Sequence, residues 1–145
     1  GENRYTYSRP TKDKTAEFFE VCKALADYVF LDCTSSLDDP LSVYGMAAAD
    51  KAVQLVTPDI RSAAYYASFE KTYEQIKGKS IGVINITDKD LYLPVDEVKA
   101  GFSNAKYILP YSMYLKQQYI TGELTQKIPD QKFSAVCRGI AGAVL

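Results

Sequence analysis

Apolar and polar positions alternate in blocks along this chain, and the period of each block predicts its element. From Asp13 to Ala26, the residues Ala16, Phe19, Cys22 and Leu25/Ala26 recur at spacings of three and four, which predicts an amphipathic helix. Tyr28, Val29, Phe30 and Leu31 follow at once as an apolar run without alternation. That pattern predicts a strand covered on both faces, with Asp32 at its carboxyl end. Asp39-Pro40 then reads as an N-cap with proline at the first helical position, opening a small-residue helix from Pro40 to Ala49.

The same grammar repeats. Ala52 to Val56 predicts a second strand, stopped by Thr57-Pro58, and Asp59 caps a long helix reaching about Lys77, with Gly78 as its C-terminal stop. Ser80 to Ile86 predicts a third strand carrying Asn85 near its exit. After a looser stretch, a short helix is expected around Val95 to Phe102, and Tyr107 to Leu109 gives a fourth strand ended by Pro110. Ser112 to Thr121 predicts a further helix stopped by Gly122, and the last helix, Asp130 to Val144, aligns Phe133, Val136, Cys137, Ile140, Ala141 and Val144. Arg4 to Tyr7 predicts at most a short edge strand.

Alternation of strand and helix is the signature of βαβ units. The expected fold is α/β, a three-layer open and mainly parallel sheet of about four strands with helices on both faces, spanning residues 1–145 as a single domain. In such sheets ligands bind at the carboxyl ends of the strands, so Asp32 becomes a candidate site residue, while Asn85 is a polar residue at a strand exit that needs an explanation.

Composition narrows the chemistry. Basic and acidic residues nearly balance at 17 against 18, which gives no sign of a nucleic-acid surface. No apolar run approaches the ~20 residues of a membrane span, so a cytoplasmic protein is expected. Gly1 in place of methionine suggests an excised stretch. The chain has no histidine, which excludes Ser-His-Asp and Cys-His machinery built from its own residues. Cys22, Cys33 and Cys137 are widely spaced, odd in number and never arranged as C-x-x-C, so neither a disulfide framework nor a zinc site is signalled.

Three short motifs have plainer readings. Gly78-Lys79-Ser80 ends like a phosphate loop, but Tyr73 stands where the first glycine belongs, and the triplet leads from a helix into a strand rather than the reverse. Thr87 to Leu91 begins like a calcium loop, yet Leu93 and Lys99 occupy the positions that require glycine and glutamate. The last helix offers only Lys132 and Arg138 as cations, which favours core packing over a membrane surface. Asp32 itself either holds the next turn through its side chain, as Asx residues do, or serves as an oxygen ligand toward magnesium.

The order of features resembles a known family. D-Y-V-F-L-D at 27–32, S-L-D-D-P-L-S-V-Y at 36–44, A-A-A-D-K-A-V-Q-L-V-T-P-D at 47–59, G-V-I-N at 82–85 and Y-I-L-P-Y at 107–111 run collinear with the MinD/ParA family of deviant Walker ATPases. That resemblance implies a partial P-loop NTPase-like fold using ATP and magnesium. It matches Asp32 to the aspartate that orders the magnesium shell, Asn85 to the asparagine that contacts adenine, and Pro110-Tyr111 to the turn beside base and ribose. The chain departs from the family in three places: the lysine-bearing phosphate loop has no counterpart in these 145 residues, Thr34-Ser35-Ser36 replaces a proline-containing turn, and Ser112 replaces an acidic residue.

The resemblance therefore implies the carboxyl-terminal half of an ATPase that positions or partitions a cellular assembly, such as a septum, plasmid, chromosome, pilus or secretion machine. No catalytic residue is expected within this segment alone. Protein partners and a homodimer are expected with it. The alternative is a degenerate interaction module that keeps the fold without hydrolysis, which the 12 tyrosines favour. A receiver-like domain keeps the alternation but requires acids at the first strand, where Arg4 to Tyr7 has none.

Overall fold

The computed structural model describes residues 10–35, 38–90, 93–102, 104–123 and 125–145. Contacts divide the chain into two compact units, Gly1–Asp50 and Lys51–Leu145, each with its own architecture. The edge strand expected at Arg4 to Tyr7 lies outside the described residues.

The first unit is built on two helices, α1 (Lys12–Leu25) and α2 (Pro40–Ala48). Both begin as capping chemistry dictates. The Thr11 hydroxyl accepts from the Lys14 backbone at 3.4 Å, and Asp39 Oδ2 accepts from the Ser42 backbone at 2.9 Å, satisfying donors the helix cannot use internally. Phe19 of α1 and Gly45 of α2 are buried. A Cβ on Gly45 would stand 2.9 Å from Leu31 Cδ1, the end of a flexible side chain, and 3.5 Å from the Phe19 ring, so the connecting segment packs closely against this helix.

That segment corrects the sequence reading. Tyr28 to Asp32 forms no strand, and Tyr28 and Phe30 are 64% and 79% exposed rather than buried. An apolar run records fitness for a sheet interior, but a strand exists only where a neighbour takes its backbone hydrogen bonds. Among the described residues no neighbour pairs with this one.

The second unit carries the sheet: β1 (Ala52–Val56), β2 (Ser80–Asn85) and β3 (Ala105–Leu109), parallel and in the order β1-β2-β3. Among the described residues the expected count of about four strands becomes three. Crossovers α3 (Ile60–Glu74) and α4 (Val95–Gly101) connect successive strands, and adding strands in one direction puts both helices over the same face. There Val56 and Ile84 sit side by side in register and pack with Val98 and Phe102, with the Tyr66 ring edge-on to Phe102 at 4.7 Å. The middle strand is buried from Ser80 to Ile84, as a parallel strand covered on two sides should be.

The opposite face is covered less completely. Leu55, Val83 and Tyr107 form the next row across the sheet. The Tyr107 hydroxyl donates to the Gly139 carbonyl at 2.9 Å, which seats α6 (Gln131–Val144) on this side of β3. Over β1 the row ends in the open, with Val53 43% and Leu55 62% exposed.

Two glycines differ from one another in use. Gly82 lies under a register shift between β2 and β3, where a Cβ would meet the Asn104 carbonyl oxygen at 2.4 Å. Asn104 in turn donates its amide to the Ser80 carbonyl at 3.0 Å and the Ser80 hydroxyl at 2.6 Å, pinning the bulge. Gly78, expected to cap α3, instead sits in a 3-10 turn over Lys77–Lys79 after the helix has ended at Glu74. The left-handed conformation belongs to Gly122 (φ 76°), which closes α5 (Met113–Thr121) as its sequence position predicted.

Candidate functional site

Polar residues follow the carboxyl ends of the three strands. At β1, Thr57 and Asp59 are committed to structure. Asp59 Oδ1 accepts from the Ser62 backbone at 2.9 Å, its Oδ2 accepts from the Thr57 hydroxyl, and the Ser62 hydroxyl accepts from the Thr57 backbone at 3.0 Å. The Thr57 hydroxyl, and after it the Ser62 backbone, hold the Asp59 carboxyl below the usual carboxylate range. This carboxylate is a helix cap and is already satisfied.

Asn85 differs in that its side chain makes no hydrogen bond with the described residues. It ends β2 opposite Leu109, and the Ile86 backbone donates to the Leu109 carbonyl at 3.0 Å. Pro110 and Tyr111 follow directly, so the paired strand ends bring Asn85, Pro110 and Tyr111 to one edge. Behind them the chain is anchored: the Lys116 backbone donates to the Ser112 carbonyl at 3.2 Å to start α5, and the buried Ser112 hydroxyl has no partner among the described residues. Tyr111 is half-buried, and the Lys89 ammonium lies over its ring, 5.9 Å from the centroid.

Asp32 belongs to the other unit, on the irregular segment between α1 and α2. It is exposed and takes part in no hydrogen bond or ion pair with the described residues, so it does not hold the turn as an Asx residue would. Its neighbours are fixed by Ser42, whose buried hydroxyl accepts from the Thr34 backbone at 2.9 Å. The Cys33 thiol is pushed up first by burial and further by the charges of Asp32 and Asp39, against a lowering hydrogen bond to Ser42. Such a thiol stays protonated and unreactive.

A primary amide can donate and accept at the edge of a base, and a tyrosine ring offers a stacking surface. For a metal the fit is thinner: among the described residues no three His, Cys, Asp or Glu side chains gather to hold an ion. Asp32 alone could order water around a magnesium ion that also binds phosphates, since magnesium commonly keeps several waters and uses one or two carboxylates. The Gly78-Lys79-Ser80 turn enters a strand, as the sequence indicated, and offers no phosphate cradle.

Elsewhere the first unit holds an apolar hollow of about 250 Å³ lined by Pro10, Lys14, Thr15, Phe18 and Leu41, which includes none of the expected site residues. Among the described residues no helix is long and apolar enough to cross a membrane. Comparison with known proteins adds no relative: no family model, no curated protein and no solved structure matches the chain. Lys89 is the site residue that sequence reasoning missed. It falls in the stretch that begins like a calcium loop, and its contact with Tyr111 bridges two loops that no local pattern connects.

Proposed function

We propose that this chain supplies the base-binding side of a nucleotide site in a MinD/ParA-type ATPase that positions or partitions a cellular assembly. The observation that supports it is the meeting of Asn85 with Pro110-Tyr111 at one strand edge, with the Asn85 amide unspent on the described residues. Asn85 reads the hydrogen-bonding edge of adenine, Tyr111 stacks on its face, and Pro110 fixes the approach of the ring. For Asp32 of the first unit, taken by itself, the family resemblance implies a magnesium-ordering role, and it implies a phosphate loop to grip the triphosphate. Bound magnesium would neutralise phosphate charge as hydrolysis proceeds.

Isothermal titration of the chain with adenosine and with Mg-ATP tests this reading. Weak adenosine binding that Asn85→Ala and Tyr111→Ala each abolish supports it. Mg-ATP binding in the micromolar range would show a triphosphate grip that these residues do not account for. No adenosine binding at millimolar concentration would overturn the assignment.

A second reading is favoured by α5. Tyr119 and Ile120 are 78% and 74% exposed, and Met113 and Tyr114 are also open to solvent. Such a surface suits a protein-binding module that keeps the sheet without hydrolysis, because aromatic residues and methionine are enriched at interfaces.

A further inference from the structure

We propose that Lys89 is a resident cap on Tyr111, occupying the ring face that a planar ligand must take, so that binding requires its displacement. The inference rests on the base-binding reading above. Three observations carry it.

Lys89 is flanked in sequence by Asp88 and Asp90, yet it forms no ion pair among the described residues, and its ammonium lies 5.9 Å from the Tyr111 centroid. The Asp88 carboxylate is engaged with the backbone, its Oδ1 accepting from the Lys89 N–H at 2.7 Å. Tyr111 is held on both sides of the chain, by the Ile86 to Leu109 hydrogen bond before it and by the start of α5 after it. The backbone that carries the ring is therefore anchored, whereas the exposed Lys89 reaches it on a four-carbon stem that can move.

An exposed ammonium over an aromatic ring makes a weak contact, and its strength sets the size of the effect. Removing it raises the affinity of a stacking ligand by about two- to fivefold. Arginine, whose flat guanidinium stacks better than an ammonium, has the opposite effect.

The test is titration of the full chain with adenosine and with AMP, for the parent, Lys89→Ala, Lys89→Arg and Tyr111→Ala. The NMR shift of the Lys89 ε-methylene is followed alongside. The proposal expects that methylene to be ring-shifted in the free protein, to lose the shift in Tyr111→Ala, and to lose it as adenosine saturates. It also expects tighter adenosine binding in Lys89→Ala and weaker binding in Lys89→Arg. Adenosine binding that is unchanged or weakened in Lys89→Ala overturns the cap while leaving the base site standing. Loss of AMP affinity alone does the same, and assigns Lys89 to phosphate instead. Absence of adenosine binding in parent and Lys89→Ala alike overturns both readings.

Discussion

The Tyr107 hydroxyl donates to the carbonyl of Gly139 at 2.9 Å, and the same ring lies 3.1 Å from where a Cβ on Gly139 would stand. One side chain thus fixes both the distance and the register of α6 on β3. Tyr107→Phe keeps the ring and deletes the bond, so it should destabilise the second unit by about 1 kcal/mol in urea unfolding. An unchanged midpoint would mean that ring packing alone seats the helix.

Gly82→Ala should be far more damaging. The added methyl meets backbone oxygen at 2.4 Å and the Phe102 ring at 2.8 Å, and neither can step aside without opening the β2–β3 bulge. A loss of at least about 2 kcal/mol is expected. Gly78→Ala has nothing within 4 Å and a negative φ, so it should be close to neutral, which makes the pair a controlled comparison by chemical denaturation.

Asp59 predicts an acid-side effect. Its carboxyl is held below its ordinary value by the Thr57 hydroxyl and the Ser62 backbone. A depressed folded-state value means that this contribution is present above the unfolded carboxylate range and disappears as pH falls through the folded one. Asp59→Ala should cost about 1 kcal/mol at neutral pH, as loss of an N-cap does, and the difference from the parent should shrink between pH 5 and pH 2. Stability curves of the two proteins across that interval provide the check.

Tyr73 predicts the alkaline counterpart. Burial, and after it the neighbouring Tyr65, push its phenol up to about 12. Here the folded value exceeds the unfolded one, so the contribution is intact below about pH 10 and is lost as pH rises toward the folded value. Absorbance titration of phenolate should show a late-ionising tyrosine that Tyr73→Phe removes. That variant should also resist alkaline unfolding better than the parent.

Much of the second unit was legible in the sequence for physical reasons. The runs at Ala52–Val56 and Ser80–Asn85 are apolar and bounded by proline, glycine or charge, and both form strands. Asp39, Asp59 and Asp130 each precede a helix, and each accepts a backbone hydrogen bond from the residue three positions on. What failed was whatever depends on a distant partner. Tyr28 to Leu31 has strand composition but no pairing neighbour among the described residues, and Gly78 has helix-end composition but a different turn. β3 begins at Ala105 rather than Tyr107 because Asn104 and Gly82 build a bulge that no periodicity encodes. At the candidate site, Asn85, Pro110 and Tyr111 meet because two strands pair in register, while the Lys89 contact depends on how a loop folds back.

The backbone directions at β1 also set a rhythm in time. The Gly82 and Ile86 amides of the β2 segment donate toward β3, which leaves Ile81 and Val83 to bond β1 through Gln54 and Val56. Val53 and Leu55 consequently turn their amides away from the sheet, toward an edge that no described strand covers. Hydrogen exchange should therefore alternate along five consecutive residues, slow at Gln54 and Val56 and fast at Val53 and Leu55, with the β2 amides outlasting them all. A protection pattern that reads slow at every position of β1 would reveal a strand paired on both sides in solution.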